Sequence, residues 1–269
     1  MDLNTLYLKE NACYKRSEWQ YPEGVMVHST GANNPNLSRY VGPDDGRLGK
    51  NKYGNHWNTD KPGGRSVCVH AFIGKLANGD VATYQTLPWT MVGWHSGAGN
   101  KGQANRMGYI GFEICEDALT DEVYFRKAWK EATELTAHLC AMYKLDPLSD
   151  GVVISHAEGN ARGIASNHGD PHHWFSKFGK TMDDFRRDTA AIMEGDDMFS
   201  YEAFKEYMER YEAETRAQAA SDYAVPSCIK AVRSGLFSDG DGNGSIDQPQ
   251  GYVKRQELAV ILDRKGDLD

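Results

Sequence analysis

Two short apolar runs, each ending in a histidine, most constrain what this chain folds into. The first reads Gly24-Val25-Met26-Val27-His28-Ser29-Thr30-Gly31, and the second Val152-Val153-Ile154-Ser155-His156. Both are β-branched, bounded by turn residues and too short for helices, so both read as buried strands. Set side by side, they bring His28 and His156 to one edge of a sheet, at the carboxyl ends of strands, where sites in open α/β sheets form. The second run leads into a stretch rich in Gly, Asn and Ser that is read as a long loop and carries His168, Asp170, His172 and His173. No other part of the sequence is so dense in groups that bind a metal or move a proton. Neutral imidazole and carboxylate are ordinary zinc ligands, and a catalytic zinc takes three protein ligands and keeps one position for water. Any one of these histidines alone reads as part of a polar surface loop. The repetition of the strand-then-histidine pattern favours a metal.

The other elements follow from period and punctuation. Residues 1–23 mix polar and aromatic side chains and are expected to cover an edge of the core. Residues 33–40 read as a short helix, and 42–64 as a long loop holding Tyr53, His56 and Trp57. Residues 67–74 and 80–86 flank Asn78-Gly79, a strong hairpin signal. Residues 89–105 form another loop, containing Gly93-Trp94-His95-Ser96-Gly97; Trp94 and His95 either line a pocket or pack there incidentally. Residues 109–115, YIGFEIC, make a nearly continuous apolar strand interrupted by Glu113. A carboxylate inside such a strand is costly unless it is paired or faces a cavity, and desolvation raises its pKa, which suits a general acid or base. Residues 121–144 carry Trp129, Ala132, Leu135, Thr136, Leu139, Met142 and Tyr143 at helical spacing, a core-facing helix stopped by Pro147. Residues 182–193 form a second helix with Asp183 and Asp184 in its first turn.

A chain of 269 residues holds one large domain or a domain plus a small one. Its net charge of −8 argues against a nucleic-acid partner. It has no apolar run long enough to span a bilayer. The first residues lack a basic start followed by an apolar core, so the expectation is synthesis in the cytoplasm without a signal peptide. The five cysteines are scattered, odd in number and without C-x-x-C, and read as reduced structural thiols. From residue 195 the texture changes: 195–220 reads as a polar helical linker, and 221–269 as a small helical domain of its own. That length is marginal for a domain folding alone.

The ordered set VMVHSTG, GWHSG, IGFEIC, ISHAEG and NHGDPHHWF resembles the zinc-dependent N-acetylmuramoyl-L-alanine amidases, the family of phage lysozyme-type amidases, AmpD-like amidases and peptidoglycan-recognition proteins. HAEGNARGIASNHGDPHHWF is similar to phage endolysins in particular, and the resemblance covers residues 20–190. It implies an α/β fold with a central mixed β-sheet flanked by helices and a zinc site at the sheet edge. It implies one zinc per chain on His28, His156 and Asp170, with Glu113 as the catalytic glutamate and His168 stabilising the transition state. His95 falls where the family's groove-lining loop carries a His; Trp94 beside it and Trp57 of the earlier loop are taken with it as candidate substrate-binding residues. Many relatives read Asp-Pro-Gly where this chain reads Asp170-Pro171-His172-His173, which makes His172 a rival ligand; the Asp-Pro step favours Asp170.

The implied reaction is hydrolysis of the amide between N-acetylmuramic acid and the L-alanine of the stem peptide, with zinc-activated water as nucleophile, in a phage or prophage endolysin released to the bacterial cell wall through a holin-type route. The alternatives are a non-catalytic muropeptide-binding protein of the same fold and a metallopeptidase cutting within the stem. The first would lack a ligand, and the second, in its commonest form, would carry H-E-x-x-H. The tail resembles, weakly, a surface-layer-homology repeat in residues 229–237 and 252–264, implying wall binding or a homo-oligomer. Between them Asp239, Asp241, Asn243 and Asp247 alternate as in a calcium loop, with Ser245 among them and Gly244 at the turn. Gln250 stands where the closing Glu belongs, so a plain Asp/Gly turn is favoured over Ca2+.

Overall fold

The computed structural model describes residues 1–196 and, beyond them, Arg233. Within residues 1–195, a compact unit, six strands make one sheet. In chain order they are β1 (Leu3–Thr5), β2 (Gly24–Ser29), β3 (Ala71–Lys75), β4 (Val81–Gln85), β5 (Tyr109–Ile114) and β6 (Val153–Ser155). Their order across the sheet is β1-β4-β3-β5-β2-β6. Only the β3–β4 hairpin is antiparallel, so the sheet is mixed, as expected. The hairpin turns at Asn78-Gly79, where Gly79 has φ +88°, a conformation that favours glycine. Residues 1–23 do more than cover an edge: they supply the parallel edge strand β1 and a short helix, α1 (Ala12–Arg16). The short helix expected in 33–40 is a single 3₁₀ turn, Leu37–Arg39.

Period-two alternation gives the sheet two different faces. Val25 and Val27 of β2, Ile110, Phe112 and Ile114 of β5, and Val153 of β6 pack in one buried cluster with the long helix α2 (Glu122–Tyr143). Met26, His28, Gly111 and Glu113 point to the other face. The helix α2 starts where Asp121 accepts the Tyr124 N–H at 2.9 Å and ends where Lys144 turns left-handed. Its buried positions Tyr124, Phe125, Ala128, Trp129, Ala132, Leu135 and Leu139 recur at three and four. Met142, expected in this stripe, is 47% exposed. Tyr143 lies nearer the line of Leu139 and packs against the core in its place.

Two further helices hold the far edge. The helix α5 (Met182–Asp196) opens with a reciprocal cap between Thr181 and Asp184. Its Arg186 donates to the Val153 carbonyl at 2.9 Å and to Glu158 at 3.0 Å, tying α5 to the end of β6. The four-residue turn α4 (His172–Phe175) buries Trp174 and Phe175 completely against Tyr124 and Phe125 of α2. These anchors fix the backbone just after Asp170. The cysteines Cys13, Cys68, Cys115 and Cys140 are free and buried. No helix among the described residues is long and apolar enough to cross a membrane. Apart from residues 195 and 196, which end α5, and Arg233, the linker expected over 195–220, the domain over 221–269, its oligomer and its calcium loop lie outside the described residues.

Candidate metal centre

His28 sits near the carboxyl end of β2 and is 1% exposed. In the β2–β5 ladder it stands directly opposite Glu113, as Val27 stands opposite Phe112. Strand β6, on the other side of β2, ends at Ser155. The stretch after it was expected to be loop, but residues 156–162 form a helix, α3 (His156–Arg162). Ser155 accepts the Glu158 N–H at 3.0 Å, and Glu158 accepts the Ser155 N–H at 2.9 Å, a complete capping box. His156 is therefore the first residue of a capped helix, and the cap fixes where its ring enters the sheet edge. Beyond α3 the chain returns through residues 163–171 and delivers Asp170 beside both rings.

The three side chains converge. His28 Nδ1 lies 3.2 Å from Asp170 Oδ2, and the Nδ1 atoms of His28 and His156 are 3.0 Å apart. His156 Nδ1 lies 3.7 Å from Asp170 Oδ1. Among the described residues this is the one group of three His, Cys, Asp or Glu able to share an ion, with ligand atoms within 4.8 Å of one another. A tetrahedral zinc with ligands about 2.0–2.2 Å away spaces them roughly 3.3–3.6 Å apart. The observed separations bracket that range, and two imidazole nitrogens plus a carboxylate form a zinc-type donor set, so the residues fit the ion. Burial raises the Asp170 pKa, but the His28 hydrogen bond and the two imidazoles outweigh it and hold the carboxyl at about 2. Burial and then His28 lower the His156 pKa to about 4. A cation site needs ligands in these two states, an ionised carboxylate and a neutral ring.

A cavity of about 640 Å³ opens over this group. Glu113 borders it; its Oε2 is closed to solvent and has no hydrogen-bond partner. Burial pushes the Glu113 carboxyl well above its ordinary pKa, and Asp170 and Glu116 push the same way against a weaker pull from Arg65. His168 lies on the rim, its ring centre 4.6 Å from that of His156. Trp57 borders the cavity but is mostly buried, packed edge-on against Phe72. Trp94 reaches it from a bridge with Cys68. His95 also borders it, yet both ring nitrogens are spent inward, one on His28 at 3.0 Å and one on the Tyr109 carbonyl at 3.2 Å. His172 stands apart from the three ligands: its Nε2 is 2.8 Å from Ser155 Oγ. His173 faces the cavity, its Nε2 2.9 Å from Oε1 of the buried Glu116.

Sequence reading passed over His70. It ends Val67-Cys68-Val69-His70, a run much like the one before His28, but lies one row below the ligands, beside Gly111. Its Nε2 donates to the Met91 carbonyl at 2.7 Å and its Nδ1 accepts the Gly111 N–H at 3.0 Å. Burial lowers its pKa from 6.5 to about 4. Above pH 6.5 the folded and unfolded chains are both neutral here. As pH falls toward 4, the unfolded chain takes up a proton that the folded chain refuses. Stability is therefore lost across that window, roughly 3 kcal/mol from His70 alone, and His156 acts in the same direction. Because protonation of Glu113 over the same range acts the opposite way, thermal melts of the metal-free Glu113→Gln variant at pH 7 and pH 4 should show the drop, and a flat melting temperature there would contradict it.

Fold and site together define a candidate one-metal hydrolase: a mixed α/β sheet whose edge presents two imidazoles, a carboxylate and a half-buried glutamate with an unpartnered Oε2 to one cavity. Residues 18–173, more than half of the chain, match the family described as N-acetylmuramoyl-L-alanine amidase, and the chain belongs to that family. It is thus an amide hydrolase of the peptidoglycan amidase class. The matched range contains His28, Trp57, Trp94, His95, Glu113, His156, His168 and Asp170. Three solved structures that resemble the chain are the Staphylococcus aureus hydrolase AmiA in complex with its ligand, PlyL, and a mutant endolysin from Bacillus subtilis. AmiA is 19% identical over 72% of this chain and 84% of its own, with a TM-score of 0.48. PlyL is 18% identical over 70% and 96%, with a TM-score of 0.48. The endolysin is 22% identical over 70% and 99%, with a TM-score of 0.46. No curated protein matches the chain.

Proposed function

We propose that the chain is a zinc-dependent endolysin-type amidase that hydrolyses the bond between the lactyl group of N-acetylmuramic acid and the L-alanine of the stem peptide. The observation that carries this reading is the row formed by His28 and Glu113 on adjacent strands, with His156 and Asp170 closing on His28 from the sheet edge. His28, His156 and Asp170 would hold the zinc. Zinc, when bound, supplies Lewis acidity toward the scissile carbonyl and makes water a nucleophile at neutral pH.

The chain's own groups do the rest. Glu113 accepts the proton of the attacking water and returns it to the departing alanine nitrogen, a task suited to a carboxyl whose proton affinity is raised. His168, on the rim, donates a hydrogen bond to the oxygen on which charge develops. Trp57 and Trp94 offer apolar walls on which a sugar ring or the lactyl methyl can rest. In this reading residues 1–194 are the catalytic domain, 195–220 a linker, and 221–269 a wall-binding or oligomerising segment. The enzyme is made in the cytoplasm and reaches the wall when a phage or prophage releases it.

Product analysis tests the assignment. Purified peptidoglycan digested with the chain should yield stem peptides with a free L-alanine amine and glycan with intact lactyl carboxylates, both read by mass spectrometry. New amines within the stem would point to a peptidase, and binding without cleavage would favour the muropeptide-binding alternative.

A further inference from the structure

We infer that His95 is a positioning residue: it fixes His28 as the Nε2–H tautomer and so turns a bare Nδ1 toward His156 and Asp170. The inference rests on the metal reading above and deepens it. Its basis is the chain of hydrogen bonds that runs from the Tyr109 carbonyl through His95 to His28 Nε2. The Tyr109 carbonyl can only accept, so His95 Nε2, 3.2 Å away, donates to it. In a neutral ring His95 Nδ1 is then an acceptor, and His28 Nε2, 3.0 Å away, must donate to it. A neutral His28 then carries no proton on Nδ1, the atom 3.2 Å from Asp170 Oδ2 and 3.0 Å from His156 Nδ1; while no cation is bound, the Asp170 carboxylate, which can only accept, competes with His95 for the His28 proton. A ligand imidazole ordinarily donates its second N–H to a carboxylate, carbonyl or water. Here the acceptor is another imidazole, itself anchored on the main chain of β5.

Two further features hold His95 in that role. Its ring lies against the bare α-carbon of Gly111, where a Cβ would come within 2.4 Å of ring atoms. Its main-chain N–H, with that of Ser96, is gathered by Asn105 Oδ1 at 3.0 and 2.9 Å. The same turn serves the second ring. Ser166 Oγ donates to the Ser96 carbonyl at 3.1 Å and accepts from His156 Nε2 at 3.2 Å, again leaving Nδ1 bare. Both imidazoles are thus presented by the same atom from one short segment, His95-Ser96.

The first test needs no variant. Two-bond ¹H–¹⁵N spectra of the full, metal-free chain with ¹⁵N-labelled histidine, taken at neutral pH, should show His28 and His95 protonated at Nε2 and bare at Nδ1. A proton on His28 Nδ1 overturns the inference. The second test is zinc affinity by competition with a chromophoric chelator. His95→Phe keeps the ring volume and removes the acceptor, and should weaken zinc binding about 10–100-fold while His28 becomes a mixture of tautomers. His95→Asn, whose side-chain oxygen can replace Nδ1 as acceptor, should recover part of the loss. Gly111→Ala should weaken binding by displacing the ring without altering it. Wild-type affinity in His95→Phe, with an unchanged His28 tautomer, overturns the inference. A wild-type chain that takes up no zinc overturns the metal reading instead, and the wild-type spectrum still decides the role of His95.

Discussion

Replacing Glu113 by Gln is expected to slow peptidoglycan hydrolysis by about a hundred- to ten-thousandfold, the range set by loss of a positioned general base, while zinc affinity stays within a few-fold. The substitution keeps the shape of the side chain and removes only its ability to take a proton. Glu113 is central in the sheet, between β3 and β2, and its Oε2 has no partner, so nothing structural depends on its charge. The stability effect should run opposite to the activity effect. Burial, then Asp170 and Glu116, raise the folded carboxyl well above its ordinary value of 4.5. Below that value both folded and unfolded chains are protonated, and no penalty exists. As pH rises above it, the unfolded chain ionises first and stability is lost. The amide has no such penalty, so the metal-free variant should melt at the same or a higher temperature than wild type at neutral pH. Dye-release assays and thermal melts on one preparation check both halves. A variant with near-normal turnover would remove Glu113 from the chemistry. A variant that melts well below wild type would give it a structural role instead.

Much of the scaffold was legible because it obeys simple periods. The strands β2, β5 and β6, the Asn78-Gly79 hairpin and the capped helix α2 all follow from alternation, helical spacing and turn residues. Glu113 was legible for the same reason, as a charge where the period demanded an apolar residue. The helix α3 was not read, although Ser155 and Glu158 stand three apart as a capping box does. Gly159, Asn160 and Gly163 gave the stretch the composition of a loop, and the cap outweighed composition once Arg186 had tied Glu158 to α5. Gly111 was also passed over. A glycine inside an apolar strand marks a close approach, and what approaches is the ring of His95.

The histidines show where sequence grammar ends. His28 and His70 both close short apolar runs, yet only His28 is at the site. The difference is register: His28 stands level with Glu113, whereas His70 precedes β3 and lies at the level of Gly111. Register across non-adjacent strands depends on which strands pair, and no local pattern states that. The repeated strand-then-histidine pattern singled out His28 with His156, and the resemblance then implied that both are zinc ligands. His95 was noted from its Gly-rich loop, and the resemblance favoured a groove role for it. The distances show that its two nitrogens face inward, toward the scaffold that aims His28.

Asp170 should matter most for the metal. Asp170→Ala is expected to weaken zinc binding by more than the roughly 10–100-fold typical of a group that only orients a ligand, placing it below the His95 variants in affinity and abolishing lysis. The reason lies in the electrostatics of the metal-free site. Two ring nitrogens 3.0 Å apart, both bare in the arrangement inferred above, repel unless a proton or cation stands between them. Asp170, 3.2 Å from His28 Nδ1 and 3.7 Å from His156 Nδ1, supplies the negative charge that makes a cation the better occupant. Without it, a shared proton can satisfy the two rings as well as a metal can. Linkage gives the second readout. Zinc at a hundred times its Kd should stabilise the wild-type chain by about 2.7 kcal/mol, roughly 5–10 °C for a unit of this size. Chelation should remove both the added stability and the lysis, and added zinc should restore them. In Asp170→Ala the same zinc concentration should leave the melting temperature unmoved. If zinc still raised it by the wild-type amount, Asp170 would not be a ligand; its 3.2 Å contact with His28 would then serve only to hold that ring.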